Sequence, residues 1–225
     1  MGSGTSKGNS DDEIKHIIRK DLARARKLMH EVTNEKCPVL FSSDTPDKED
    51  FRRMLKVPGV EYNHATADAD ELVEIIGKLK ERYPEGHGIA LACHGPSSSS
   101  GNSGQFEWSI SQKVVVRSAD DVKEGTPAFK VLSALGSAVA EGNTVDLFSC
   151  ELLKTDAGKA VFKAIEVATK CNFAASDDLT GNPANGGDWI MESDGVNVKD
   201  VYFRETDEFT GTFRPCMGFR MHGGH

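Results

Sequence analysis

Ile89-Ala90-Leu91-Ala92-Cys93 is apolar at every position and stops at His94-Gly95. A run this short with no polar alternation is the pattern of a strand buried on both faces, which belongs in a parallel sheet covered by helices. Val145 to Phe148, stopping at Ser149-Cys150, reads as a strand of the same sheet. Around these two runs the period changes repeatedly. Val39-Leu40-Phe41 is a short apolar run ending at Ser42-Ser43-Asp44, Val60 to Tyr62 is a second, and Phe173-Ala174-Ala175 another. Helical spacing appears around Phe51 to Leu55, over Leu72 to Leu79, over 127–140 with Phe129, Leu132, Leu135 and Val139 on one side, and from about 155 to 169. Phe106 to Ile110 with Val114 to Val116 reads as a hairpin, and Trp189-Ile190-Met191 and Val201-Tyr202-Phe203 close the regular part.

Strand alternating with helix over residues 37–175 predicts an α/β fold with a parallel sheet between two helical layers. We expect one domain over 13–204, made of an N-terminal helix and an α/β core at 37–192. The helix is read over 11–33 from Ile14, Ile17, Ile18, Leu22, Leu28 and Met29, behind Asp11, Asp12 and Glu13, which suit the positive end of its dipole. Residues 1–12 read as a flexible leader or a cloning scar, and 205–225 as an irregular tail.

Charge narrows the function classes. With 27 Lys+Arg against 35 Asp+Glu the formal charge is −8, the reverse of the basic footprint that nucleic-acid binding needs. No apolar stretch approaches the length of a membrane span, so membrane insertion is not expected. Five cysteines (Cys37, Cys93, Cys150, Cys171, Cys216) stand singly, which reads as reduced thiols rather than a disulfide scaffold. With no signal peptide visible, that suggests a cytoplasmic protein, unless the chain is a fragment of an exported one.

In open α/β sheets ligands bind beyond the carboxyl ends of the strands, so the reactive groups to look for are those that immediately follow strands. His94 follows 89–93 and Cys150 follows 145–148. If the two strands are neighbours, an imidazole and a thiol emerge at one edge as a nucleophilic pair. Gly95, with no side chain to hold substrate off, would then offer its amide to an oxyanion. Taken singly, each residue has a plainer reading, the thiol as a small buried hydrophobe and the imidazole as structural. Metal binding is not expected, because Cys93 and His94 are adjacent and point to opposite faces, and no paired-ligand spacing exists.

The segments "GIALACHG" (88–95) and "TVDLFSC" (144–150) resemble the caspase-like cysteine peptidases of clan CD, which include caspases, metacaspases, legumain, clostripain, gingipains and separase. Downstream, "AASDDLTGNPANGGDWIMES" (174–193) resembles a caspase-like domain of large bacterial surface and adhesin proteins. The resemblance spans roughly residues 37–192. It implies a three-layer α-β-α sandwich with a mostly parallel sheet, and a cysteine endopeptidase with Cys150 as nucleophile and His94 as its base. The oxyanion hole would be the amides of Gly95 and Cys150. Calcium activation enters by family likeness only; no other cofactor is expected. Metacaspases commonly carry an Asp two residues before the nucleophile, where this chain has Phe148.

Substrate is expected to be a peptide or protein. Asp44, Asp177 and Asp178 follow strands and could floor a pocket beside Cys150, which leans towards Arg or Lys before the cut. Against that, Asp is at home in turns. Glu151 reads as the start of the following helix more than a substrate contact, and Trp189 as a packing anchor more than a groove edge. Self-processing has two candidate stretches, the Ser-rich loop 96–104 and Lys123-Glu124-Gly125. The reading from a different class is a non-catalytic caspase-like module that binds a partner or builds a structure.

Overall fold

A computed structural model describes residues 17–18, 20–21, 37–84, 86–97, 106–204 and 209–214. The leader, most of the expected first helix, most of the Ser-rich loop, Cys216 and the end of the tail lie outside the described residues.

Five strands form the central sheet: β1 (Val39–Ser42), β2 (Gly59–Tyr62), β3 (Gly88–Ala92), β6 (Thr144–Phe148) and β7 (Asn172–Ala175). Their order is β2-β1-β3-β6-β7, and every pair is parallel. A two-stranded antiparallel ribbon, β4 (Trp108–Ser111) with β5 (Val114–Val116), is the expected hairpin, and β8 (Ile190–Met191) pairs with β9 (Val196–Asn197).

Alternate residues of each strand point to opposite faces, and the two faces build two separate cores. Leu40, Ile89, Leu91, Cys93, Val145, Leu147, Phe173 and Ala175 face one layer. Val39, Phe41, Ala90, Ala92, Phe148, Cys150 and Ala174 face the other. The first layer is covered by three helices. We label them α2 (Ala69–Arg82), α3 (Pro127–Ala138) and α4 (Asp156–Thr169); α1 (Lys48–Met54) and α5 (Lys199–Tyr202) belong to the second layer. This is the three-layer α-β-α sandwich with a parallel sheet.

Local chemistry sets the helix bounds. The Asp68 carboxylate accepts the amides of Asp70 and Glu71 at the start of α2, and Thr126 caps α3 just before Pro127. Thr155 accepts the Gly158 amide at the start of α4. Each bond satisfies an amide that has no partner inside its helix. Lys170 stops α4 in the left-handed region at φ 58°.

The second layer is mostly aromatic. Phe51, Phe148, Trp189, Tyr202, Phe203, Phe209 and Phe213 interlock with ring centroids 4.2–6.5 Å apart. Trp189 is therefore the packing anchor that its position suggested. Of the tail expected to be irregular, residues 209–214 form no helix or strand and pack back on the second layer, where Phe209 and Phe213 are completely buried. Among the described residues, no helix is long and apolar enough to cross a membrane.

Candidate active site

Strand register brings the two reactive residues together. Gly88 faces Thr144 and Ala92 faces Phe148 across β3 and β6, an offset of 56. Continued two residues past the ladder, that offset sets His94 opposite Cys150. The strand ends are tied there: the Cys93 amide donates to the Phe148 carbonyl at 3.2 Å, and Ser149 Oγ donates to the Cys93 carbonyl at 3.1 Å. Gly95 lies against the Cys150 peptide itself. A Cβ on Gly95 would stand 1.9 Å from the Cys150 carbonyl oxygen and 2.9 Å from its nitrogen, so only glycine permits this approach.

The strand order reverses between β1 and β3, since β2 lies beyond β1 while β6 and β7 lie beyond β3. That crevice is where open α/β sheets bind ligands. Asp44 and His94 meet across it. His94 Nε2 is 2.9 Å from the Asp44 carbonyl oxygen. A carbonyl only accepts, so Nε2 carries the hydrogen, and in the neutral ring Nδ1 is the bare acceptor. Nδ1 is buried and has no hydrogen-bond partner among the described residues.

Asp44 lies beside two imidazoles. Its carboxylate lies 3.5 Å from His64 Nδ1 and 3.9 Å from His94 Nε2, and it accepts a hydrogen bond from Ser42 Oγ. His64 was missed by sequence reasoning, though it sits just past the carboxyl end of β2, where the same strand-end rule points.

Cys150 is fully buried. Its thiol donates to the Thr180 carbonyl at 3.4 Å. Burial pushes the thiol up to about 12, against partial relief from the Thr180 bond and from the Arg214 cation. In this closed form Cys150 is a neutral thiol, the opposite of an activated thiolate.

Asp177 and Asp178 sit at the surface beyond β7. The Asp178 carbonyl accepts the Glu151 amide at 2.5 Å, and the Asp177 amide donates to Glu192 at 3.0 Å. Burial raises the Asp178 and Glu192 carboxyls, and neighbouring carboxylates push Asp178 further up. One oxygen from each of Asp177, Asp178 and Glu192 lies within 4.8 Å of the others, the one such group among the described residues able to hold a cation. Glu151 does not start a helix. It holds a left-handed turn at φ 58°, and α4 begins only at Asp156. Lys123-Glu124-Gly125 is exposed.

The returning tail covers the site. Phe213 gives its amide to the Thr180 carbonyl at 3.1 Å, and its carbonyl accepts the Gly95 amide at 2.7 Å. The Asn182 amide donates to Gly211 at 3.1 Å, and Thr212 bridges Gly181 in antiparallel sense. Gly181, at φ 140°, leaves room for this, because a Cβ there would stand 2.6 Å from the Gly211 carbonyl.

Residues 39–213, more than three quarters of the chain, match the family model described as a domain of unknown function, DUF4347. The match spans the sheet, both strand ends and the returning tail. No curated protein and no solved structure matches the chain.

Proposed function

The chain belongs to the DUF4347 family, whose description assigns no activity, and from its site we propose that it is a cysteine peptidase of caspase-like kind. One observation carries this reading. At the strand-order reversal, His94 holds a buried Nδ1, with no hydrogen-bond partner among the described residues, opposite Cys150 in strand register, with Gly95 against the Cys150 peptide.

In the reaction, Cys150 gives its proton to His94 Nδ1 while Nε2–H stays anchored on the Asp44 carbonyl. The thiolate adds to a peptide carbonyl carbon, and the amides of Gly95 and Cys150 hold the oxyanion. The C–N bond breaks, the amine leaves with the imidazolium proton, and water cleaves the thioester, restoring the thiol. The Asp44 carboxylate lies 3.9 Å from Nε2 of the ring that carries the proton between these steps.

The residue before the cut has two candidate chemistries. Asp178 and its neighbour Asp177, near the thiol, support Arg or Lys. The peptide already lying in the site favours an aromatic side chain, and we give that observation more weight. Self-processing belongs to the same proposal, with exposed Lys123-Glu124-Gly125 as one place to cut.

A second reading is a binding module with no turnover. The buried, neutral thiol and the tail bonded across it favour that one. Fluorogenic peptides offered to the wild type and to Cys150→Ala, with and without calcium, decide between them. Turnover lost in the variant supports the peptidase. No turnover and no self-cleavage, even after Cys150 is made accessible, leaves the binding module.

A further inference from the structure

A peptide substrate in this site would need its acyl oxygen on the Gly95 amide and its backbone alongside the chain that passes Cys150. The structure already contains a peptide that meets both needs. Phe213 places its carbonyl on the Gly95 amide at 2.7 Å. Its own amide bonds the Thr180 carbonyl, the group that also receives the Cys150 thiol. Thr212 and Gly211 continue the segment antiparallel to Gly181 and Asn182, which is how an added strand is held by main-chain bonds. Two side-chain amides fix the upstream end, Asn182 Nδ2 on the Phe209 carbonyl and Asn185 Nδ2 on the Thr210 carbonyl.

Side chains alternate along this segment as they would in a bound peptide. Phe213 points inward and is fully buried, while Arg214 is exposed. The seat of Phe213 is aromatic: Phe51 meets it edge-on at 5.4 Å between centroids, and Trp189 at 6.5 Å. The rings that meet Phe213 among the described residues, Phe51, Trp189 and Phe209, give a Lys or Arg placed there no ion-pair partner to replace its hydration. The Phe213 carbonyl is the one on the oxyanion donor, so this seat belongs to the residue before the cut.

We propose that the segment Phe209–Arg214 is a built-in occupant of the peptide groove, held as a substrate is held. We further infer that the groove selects an extended peptide with a large aromatic residue at the position of Phe213. The proposal rests on the peptidase reading for the word substrate, and on the hydrogen bonds alone for the occupant. While the segment is in place, Gly95 cannot serve an external acyl group and Cys150 stays covered. Release of the segment opens the groove and uncovers the thiol together.

The test uses the full chain and two variants. Phe213→Ala empties the aromatic seat. Thr210→Ala removes the exposed bond from Thr210 Oγ1 to the Asp47 carboxylate and opens no cavity. Iodoacetamide labelling at each cysteine is followed by mass spectrometry, and Cys37 and Cys93, buried elsewhere, report any general loosening. We expect Cys150 labelling to rise about tenfold or more in Phe213→Ala and a few-fold in Thr210→Ala, with Cys37 and Cys93 little changed. Equal acceleration at all three cysteines in both variants overturns the occupant, as does unchanged labelling of Cys150 in both. If Phe213→Ala does not fold, Thr210→Ala decides alone.

On the opened chain, peptidyl chloromethyl ketones ending in Phe or Arg are compared at Cys150. Faster labelling by the Phe reagent supports the aromatic seat, and equal or faster labelling by the Arg reagent overturns it. The peptidase reading fails separately. A Cys150 that is uncovered as expected, yet turns over no peptide, leaves an occupied binding groove without catalysis.

Discussion

Replacing Gly95 with Ala is the sharpest single test of how the two strand ends meet. The new Cβ would stand 1.9 Å from the Cys150 carbonyl oxygen, 2.8 Å from its carbonyl carbon and 2.9 Å from its nitrogen, all backbone atoms. Contacts of real Cβ atoms begin near 3.0 Å, so the strand ends must part by about 1.1 Å. No side-chain rotation can absorb that. The β3–β6 ladder and the Cys93–Phe148 bond also resist it from behind. Overpacking a core costs ~1–3 kcal/mol, and with fixed atoms on both sides we expect the upper end. Loss of the Gly95 to Phe213 bond adds about 1 kcal/mol.

The control is Gly77→Ala, on an exposed position of α2 where a Cβ meets nothing within 4 Å. It should stabilise by ~0.5–1 kcal/mol through helix propensity alone. Urea unfolding followed by the fluorescence of the buried Trp108 and Trp189 measures both variants. A Gly95→Ala loss under about 0.5 kcal/mol, beside a normal Gly77→Ala gain, would refute the close approach. If turnover has been found, a displacement of this size should also lower kcat by about 100-fold.

Two further outcomes follow from the burial of polar groups, and a third from close packing. Cys93 and Cys150 are both pushed up from 9.0 to about 12 by burial, so the folded chain holds their protons more tightly than the unfolded one. Stability is therefore complete below about pH 9 and falls as pH rises towards 12. By pH 10 the two thiols should remove about 2–3 kcal/mol; urea midpoints that do not fall between pH 8 and 10 would count against this. Tyr202→Phe deletes the 2.6 Å hydrogen bond to the buried Asp146 carboxylate and should cost about 1–3 kcal/mol, read from the same unfolding curves. Gly136→Ala would put a Cβ 2.5 Å from Cys171 Sγ, which can turn, and 2.9 Å from Cys171 Cβ, which needs only a slight shift, so it should cost less than the Gly95→Ala loss, about 1 kcal/mol.

The sheet was legible because burial on both faces leaves a one-dimensional mark: the runs at 39–41, 89–93, 145–148 and 173–175 all become strands within a residue or two. Helices with a capping Thr or Asp were equally readable. His94 and Cys150 were found because the strand-end rule needs only strand positions. The contact between Asp44 and His94 was not legible, because it depends on β1 lying beside β3, and strand order is a tertiary property that periodicity does not carry. The tail was unreadable for a related reason. Its glycines and lone aromatics form no local pattern, and its structure exists only against Gly181, Asn182 and Gly95.

The way the thiols are distributed over the sheet has a redox consequence. Cys93 and Cys150 lie one register step apart on neighbouring strands, but they belong to opposite faces, so their Cβ vectors diverge and no disulfide can close between them. Cys37 precedes β1 and Cys171 precedes β7, at the amino end of the parallel sheet. Five to seven residues of strand separate either from the level of Cys93 or Cys150, about 16–23 Å at the rise of a β-strand. Cys37 and Cys171 themselves are kept about 14 Å apart by the intervening strands. An oxidant acting on the folded chain thus has no internal pair of these four to join. Any product it leaves on them is a modified single sulfur or a link to a sulfur outside this set, so among the described residues the fold keeps its shape without a staple in either redox state.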